Sequence, residues 1–351
     1  MHTTHLVSLL ALAFPIANLS SQVITPPSAA SQLGGSTAGF PFSYNGYVRY
    51  QQAIDKSYLR VGNIYGMSLR SRTIVRNVPE RQWQGMKVTL ADLPFASVSS
   101  MSGTFANNLG ANKSEVFAGR LNLYRPNSSD ALEFSITIPF AKPFLYLATT
   151  PLTVELMPTG YEGFPNCPSG GNGTSMDGTR DTNIFSVLGK GSCSSPPATA
   201  KGSSAGGFVI KFFYAPMLMP YGKGCKGSNG KIPQIGSTGA AILGSPFTFT
   251  MTDVPATSKA AIFIAGLSNT DDGATRLPLD LSFLTTAAGC WQNTDMPIFI
   301  ILPVNSWQVT MPVVIPNNPA IKGLPIYSQF VADDPGIGGF TSTQGGVIRP
   351  Q

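Results

Sequence analysis

The sequence predicts an all-β protein built of two β-sandwich, jelly-roll-like domains in tandem. The chain has 351 residues, which is enough for two domains of ordinary size. Charged residues make up only 11%, whereas the chain contains 37 Gly and 29 Pro, a mixture typical of many short strands joined by tight turns. Apolar and polar residues alternate in runs such as 132–138, and no stretch of ten or more residues carries a sustained helical stripe.

The first 21 residues are interpreted as a secretory signal peptide. An apolar run over 6–16 is too short to cross a bilayer as a helix and is followed by small polar residues. Cleavage before Gln22 would remove both histidines, His2 and His5. The exported chain would then lack imidazole, which excludes Ser–His–Asp and Cys–His catalysis and His-ligated metal sites. An uncleaved N-terminal anchor is the alternative.

Composition divides the rest of the chain. Residues 22–39 are rich in Ser, Ala, Pro and Gly and are predicted to be a flexible leader, with the addition of 22–25 as a strand to a neighbouring subunit as the alternative. The N-terminal sandwich is predicted over 40–215 and contains 160–207, interpreted as a disulfide-restrained insertion because it is dense in Gly, Ser and Asn. The C-terminal sandwich is predicted over 216–351.

Short β-type runs recur in both domains, separated by turn residues. Residues 51–59 are the best candidate for a short helix or turn. Strands are predicted near 47–51, 64–70, 86–93, 115–124, 132–139, 144–147, 152–157 and 208–214, and then near 247–251, 260–266, 279–283, 298–301, 307–314, 324–330 and 346–349.

The four cysteines predict two disulfides, since an even count in an exported chain indicates a disulfide framework. Three connectivities are open. Cys167–Cys193 and Cys225–Cys290 are preferred because each pair stays within one predicted domain. No two cysteines are spaced as C-x-x-C, so a four-thiolate zinc site is not expected.

Basic residues give the chain a net charge of +6 and a sequence pI of about 9.1. They are scattered rather than clustered, so a nucleic-acid partner is not expected. Most of these basic residues are expected on solvated strand faces. The alternative is that they attract an acidic polysaccharide or a cell surface.

Short apolar and turn segments in both halves share a family resemblance, namely 105–110, 116–119, 138–140, 142–146, 225–228, 277–281, 288–290, 315–317 and 323–329. Together they resemble segments of secreted planctomycete-type bacterial proteins, which have an N-terminal β-sandwich module and a Cys-containing C-terminal β domain. The resemblance covers roughly residues 40–351 outside the 160–207 segment. It implies a β-sandwich fold, export and attachment to a surface, but no chemistry.

Aromatic residues are the main candidates for ligand binding, since sugars stack on exposed rings. Trp83 is the first candidate because Arg81 and other polar residues flank it, and Tyr161 is a second aromatic candidate. Trp307 alternates with Val309 in an apolar run and is expected to lie in the core.

Oxygen-rich turns suggest weak calcium sites at Asp177 with Asp181 and at Asp271 with Asp272, although ordinary turns explain the same sequences. No other cofactor is expected. Carboxylates also leave a glycosidase open, since that chemistry needs two facing one sugar bond. No spacing selects a pair from Glu133, Glu155, Asp177, Asp181, Asp271, Asp272 and Asp280.

These features favour a secreted, non-enzymatic protein with a surface, matrix or adhesion role. Binding of an extracellular polysaccharide is the first alternative, and a carboxylate-based glycan hydrolase is the second. Partners would be extracellular polysaccharide or other surface proteins. The oligomeric state and the ligand are open.

Overall fold

A computed structural model of the chain describes residues 21–38, 47–72, 81–123, 132–160, 175–191, 195–285 and 289–351. These residues form strands, turns and 3-10 helices of three or four residues, without any α-helix. The predicted all-β class is confirmed. No helix among the described residues is long and apolar enough to cross a bilayer.

Twenty-six strands occur in the described residues. Those of the first half are β1 Gln22–Thr25, β2 Gly35–Ala38, β3 Val48–Ile54, β4 Gly62–Leu69, β5 Arg81–Asp92, β6 Ser114–Leu123, β7 Ile136–Tyr146, β8 Leu152–Gly160, β9 Met176–Thr179, β10 Ile184–Lys190, β11 Gly202–Ala205, β12 Gly207–Phe208 and β13 Ile210–Phe213. Those of the second half are β14 Met219–Tyr221, β15 Gln234–Thr238, β16 Pro246–Thr252, β17 Ala260–Gly266, β18 Asp271–Asp272, β19 Thr275–Arg276, β20 Leu279–Asp280, β21 Trp291–Gln292, β22 Ile298–Pro303, β23 Val309–Val314, β24 Ile326–Asp334, β25 Gly339–Ser342 and β26 Gly345–Ile348. The 3-10 helices are Pro27–Ala30, Lys56–Tyr58, Val98–Ser100, Phe105–Asn108, Pro319–Ile321 and Pro335–Ile337.

The first half contains three antiparallel sheets with the strand orders β1-β13-β4-β7, β11-β10-β3-β8-β5-β6 and β12-β9-β2. Alternating apolar residues of the two larger sheets face one core, in which Ile64, Val88, Ile138 and Leu156 are fully buried. The expected helix or turn at 51–59 is a 3-10 turn at Lys56–Tyr58, because Gln51–Ile54 belongs to β3.

The prediction of a flexible leader at 22–39 is wrong. Residues Gln22–Thr25 pair antiparallel with β13 of the same chain, and Gly35–Ala38 pairs with β9. The pairing is therefore not with a neighbouring subunit. Arg70 anchors the segment between the two strands, since its guanidinium donates to the carbonyl oxygens of Ala29 and Gln32.

The interpretation of 160–207 as an insertion is also wrong for its described part. β10 pairs with β3 along seven residues and with β11 on its other side, so it is an interior strand of the six-stranded sheet. Its Ile184 and Val187 are buried, as alternating apolar residues of a strand require. Cys167 and Cys193, and with them the predicted disulfide, lie outside the described residues.

The second half has a larger sheet of order β14-β26-β24-β17-β22, to which β25 adds beside β24, and a smaller one of order β15-β16-β23. Phe247, Phe249, Phe263 and Phe330 form a chain of ring contacts with centroid distances of 4.9 to 5.0 Å between the two sheets. The predicted disulfide Cys225–Cys290 is confirmed. The predicted boundary at 215/216 falls between β13 and β14, and no described sheet draws strands from both sides of it.

The two halves contact each other through apolar and polar groups. Phe213 of β13 packs in a buried cluster with Met219, Tyr221, Tyr327 and Val347. Beside this cluster, the Thr137 hydroxyl donates to the Pro220 carbonyl oxygen at 2.5 Å. The joint between the halves is therefore a packed one.

Candidate functional site

Asp177, a predicted calcium ligand, is fully buried on β9 and pairs with the guanidinium of Arg70. Its Oδ2 accepts from Arg70 Nε at 2.8 Å, and both carboxylate oxygens accept from the Gly34 N–H at 3.1 Å. A guanidinium in contact with the carboxylate repels a second cation. The structure therefore places Asp177 as the counterion of Arg70, and calcium binding there stays a prediction.

The other three calcium candidates each pair with neighbouring groups. The Asp181 carboxylate accepts hydrogen bonds from the Tyr58 hydroxyl and from the backbone N–H of Asn183. Asp271 accepts from Arg120 at 2.6 Å, and Asp272 accepts from Gln292 at 2.8 Å. Within the part of the chain that the structure describes, three or more His, Cys, Asp or Glu side chains nowhere converge.

The predicted sugar-binding residues are not located by the structure. Arg81 and Trp83 lie on β5, but their side chains are outside the described part of the molecule, as is Tyr161. They stay predictions.

A small cavity of about 210 Å³ lies where the two halves meet and contains one glycosidase candidate, Glu133. Lys211 lines the same cavity with its Nζ 4.6 Å from the centre of the Phe134 ring, and burial lowers the pKa of this amine to about 8. Gln344 donates across the joint to Glu133 at 3.3 Å and, within its own half, to Gln234 at 3.0 Å. These groups bind one another, which is the behaviour of a polar joint between domains.

Trp307 is not in the core, contrary to the expectation from its alternation with Val309. Its side chain is 63% exposed. Trp307 lies in the turn that joins β22 to β23 instead of on a strand, and Asn305 and Gln308 exchange the two backbone hydrogen bonds that close this turn. Alternation fails as a guide here because the chain reverses between positions 305 and 308.

The turn holds its two central residues in a left-handed conformation. Ser306 has φ 50° and Trp307 has φ 63°, the signs of a type I′ turn, which normally carries Asn-Gly or two glycines. A left-handed backbone is a rare state for a bulky residue. The unusual backbone therefore fixes the indole at the tip of the hairpin, outside the core.

Three loops meet at this tip and form an open cleft of about 480 Å³, within the range of small-ligand sites. Lys231 and Asp253 bridge two of the loops through a 2.7 Å ion pair, and Asn229 donates to the Asp253 carbonyl oxygen at 3.0 Å. The Val254 N–H donates to the Trp307 carbonyl oxygen and ties in the third loop.

Backbone strain is concentrated at this cleft. Four non-glycine residues of the described chain have a positive φ, and Asp253, Ser306 and Trp307, which are three of these four, line the cleft. Residues with a strained backbone lower stability, and they are found most often at functional sites such as ligand-binding clefts. This concentration distinguishes the Trp307 cleft from the cavity at the joint.

Neither family models, nor curated proteins, nor solved structures gave a match to this chain. The resemblance to secreted planctomycete-type proteins therefore stays a prediction.

The chemistry of the cleft is that of an amphipathic ligand site. The exposed indole offers an apolar face, and the side chains of Asn229, Asp253 and Gln308 offer hydrogen-bond donors and acceptors around it. A sequence signal for this site existed at 305–308, where three polar residues surround Trp307 between two apolar runs. The signal is weak, because the turn lacks the glycine that usually marks a two-residue hairpin.

Proposed function

We propose that this protein is an extracellular, non-enzymatic adhesion or matrix protein that binds a neutral polysaccharide through the Trp307 cleft. We infer that its two sets of sheets are two jelly-roll-like sandwich domains in tandem. The separate cores of the two halves support this division, since each half buries its own set of apolar residues.

The exposure of Trp307 on a strained turn carries the proposal. A pyranose ring presents C–H faces and hydroxyl edges, so a binding site needs an apolar plate with polar groups at its rim. The indole of Trp307 can supply the plate, and Asn229 and Gln308 can supply the rim. Pre-organisation by the turn reduces the entropy that binding would otherwise cost.

The charges of the cleft favour a neutral ligand. Lys231 and Asp253 are the charged residues that line it, and they neutralise each other at 2.7 Å. A polyanion would meet the Asp253 carboxylate, and a polycation would meet the Lys231 amine. The remaining polar groups are amides and hydroxyls, which match sugar hydroxyls.

The same cleft supports binding in preference to hydrolysis. A glycosidase of the common type places two carboxyl groups about 5 to 10 Å apart around the scissile bond. Asp253 is the one carboxylate among the cleft-lining residues that the structure describes, and it is held by Lys231.

An extracellular location is supported by the Cys225–Cys290 disulfide, because such bonds persist in oxidising compartments. The apolar run at residues 6–16, which belongs to the predicted signal peptide, supports the same location.

Replacement of the indole tests the proposal. Trp307→Ala should weaken binding to immobilised neutral polysaccharides by about fivefold to tenfold, since stacking of an aromatic ring contributes about 1 to 1.5 kcal/mol. Binding is measured by affinity electrophoresis in a panel of soluble neutral polysaccharides and by a glycan array. Trp307→Phe, which keeps a smaller ring, should retain part of the affinity.

Phe283→Ala is the matched control, because Phe283 is an aromatic residue that is 71% exposed but does not line the cleft. This variant should bind as the unmodified protein does. Undiminished binding by Trp307→Ala would contradict the proposed site, and a blank array for the unmodified protein would contradict the proposed function.

A further inference from the structure

β22 is the open edge of the larger sheet in the second half. It is the last strand in the order β14-β26-β24-β17-β22, and no described strand pairs with its outer side. β23 follows it in the chain, but the two strands part after the Asn305–Gln308 pair and enter different sheets. An open edge presents free backbone groups that can template another strand.

The open edge is unusually apolar. Phe299 and Ile301 are each 68% exposed and Ile298 is 53% exposed. Residues 296–304 contain no charged side chain, although charges are a common protection of free edges. Three further exposed residues extend the patch, namely Ile262 within β17, Leu267 just after β17 and Met296 shortly before β22.

The direction of the backbone groups follows from one hydrogen bond. The Val304 N–H donates to the Lys259 carbonyl oxygen on the β17 side at 3.1 Å. Backbone groups alternate along a strand, so positions 302, 300 and 298 also face β17. The N–H and C=O groups of Phe299 and Ile301 therefore point outward from the sheet edge.

The sequence around Ile300 is nearly symmetric. Pro297 and Pro303 lie three residues to either side, Ile298 matches Leu302, and Phe299 matches Ile301. We propose that β22 pairs antiparallel with β22 of a second copy of this chain, about a two-fold axis through Ile300. A two-fold interface needs a surface that is complementary to itself, and this segment meets that need.

This register pairs every outward N–H group between the two prolines. Phe299 of each copy lies opposite Ile301 of the other copy. The outward N–H and C=O groups of these residues therefore form two hydrogen-bonded pairs. The outward positions at the two ends are Pro297 and Pro303, which have no N–H to leave unpaired. A shift of the register would place a proline against an outward N–H or C=O of the central pair, so the prolines favour this one alignment.

The exposed apolar area is smaller than that of a standard interface, so association also depends on the backbone hydrogen bonds between the two edges. At on the order of 200 Å² for a large, fully exposed side chain, the six apolar residues of the patch present roughly 600 Å² per copy. A standard stable interface buries about 800 Å² per partner. The paired sheets would also align Ile262 and Ile301 with Phe299 of the second copy on one continuous face.

Charge complementation tests both the dimer and its register. Sedimentation equilibrium of the purified protein should give a dimer, and Phe299→Glu or Ile301→Lys alone should raise the dimer dissociation constant by at least about tenfold. The double variant Phe299→Glu/Ile301→Lys should restore association, since each introduced carboxylate then lies opposite an introduced amine of the second copy. Raised salt should weaken this restored dimer.

Leu145→Glu is the matched control, because Leu145 is 54% exposed on β7 in the other half, and it should leave the dimer unchanged. An Ile300→Cys variant should form an intermolecular disulfide, since opposing Cα atoms at a non-hydrogen-bonded pair lie about 4.5 Å apart. A monomer at every concentration, or dimers that survive both single substitutions, would overturn the proposal. Failure of the double variant to associate, or open-ended polymers, would overturn the register.

Discussion

Trp307 shows how one residue can be held against its own conformational preference. A non-glycine residue in the left-handed region costs on the order of 1 kcal/mol or more, and the hairpin has two such residues in succession, Ser306 and Trp307. Glycine would adopt both conformations freely. Because the indole is 63% exposed, packing returns little of this free energy. The proposed binding role of the exposed ring would account for a tryptophan at this position.

Removal of the strain should therefore stabilise the protein and abolish its binding. Trp307→Gly is expected to raise the free energy of unfolding by about 1 kcal/mol, as measured by urea denaturation, and to eliminate polysaccharide binding. Trp307→Ala keeps a Cβ in the left-handed region, so it should lose the binding without the gain in stability. A destabilised Trp307→Gly variant would mean that the indole serves packing.

At the scale of elements, the buried pair of Arg70 and Asp177 fastens the first strand segment to the sheets. Arg70 extends from the end of β4 to carbonyl oxygens at Ala29 and Gln32, and Asp177 accepts from Gly34. Gly34 approaches β9 so closely that an added Cβ would lie 2.4 Å from the Gly178 carbonyl oxygen. One ion pair thus ties residues that lie more than a hundred positions apart.

Loss of one partner of this pair should be strongly destabilising. Asp177→Asn leaves the Arg70 guanidinium buried without a counterion and is expected to lower the free energy of unfolding by about 3 to 5 kcal/mol, as measured by urea denaturation. Asp181→Asn changes a carboxylate in a partly exposed turn and should lower it by less than about 1 kcal/mol. The ion-pair role would be contradicted if added calcium stabilised the unmodified protein and Asp177→Asn abolished that stabilisation.

Sequence patterns predicted the strands where alternation was long and unbroken. The predicted run 260–266 coincides with β17, and the predicted run 247–251 lies within β16. β10 was missed because Gly, Ser and Asn surround its apolar residues Ile184 and Val187. β1 was missed because four residues are too few for a period to be seen, and its position depends on the distant Arg70.

The site could not be predicted for a different physical reason. Trp307 becomes exposed through the φ values of two turn residues, which no residue preference announces. The cleft also needs Asn229, Lys231 and Asp253, which only the tertiary fold brings to the hairpin. Composition indicated aromatic residues as the candidates for binding, and this stays a prediction.

At the scale of the whole molecule, the proposed dimer and the proposed cleft are linked by the chain itself. The axis at Ile300 and the start of the turn at Asn305 are five residues apart on β22 and its continuation. At about 3.3 Å per residue, antiparallel pairing would place the two Trp307 hairpins roughly 35 Å apart at opposite ends of the joint strand pair. Such a dimer would carry two Trp307 clefts at a fixed separation.

Two linked sites should give avidity that a single site lacks. Phe299→Glu is expected to weaken binding to a dense polysaccharide surface by about tenfold or more, because the second binding event is then no longer intramolecular. Binding of a short soluble oligosaccharide should not change, since it cannot span roughly 35 Å and its cleft is intact. Surface plasmon resonance on coated chips and calorimetry with the oligosaccharide measure the two quantities. An equal loss of affinity for the coated surface and for the soluble oligosaccharide would show instead that the substitution at position 299 acts on the cleft itself.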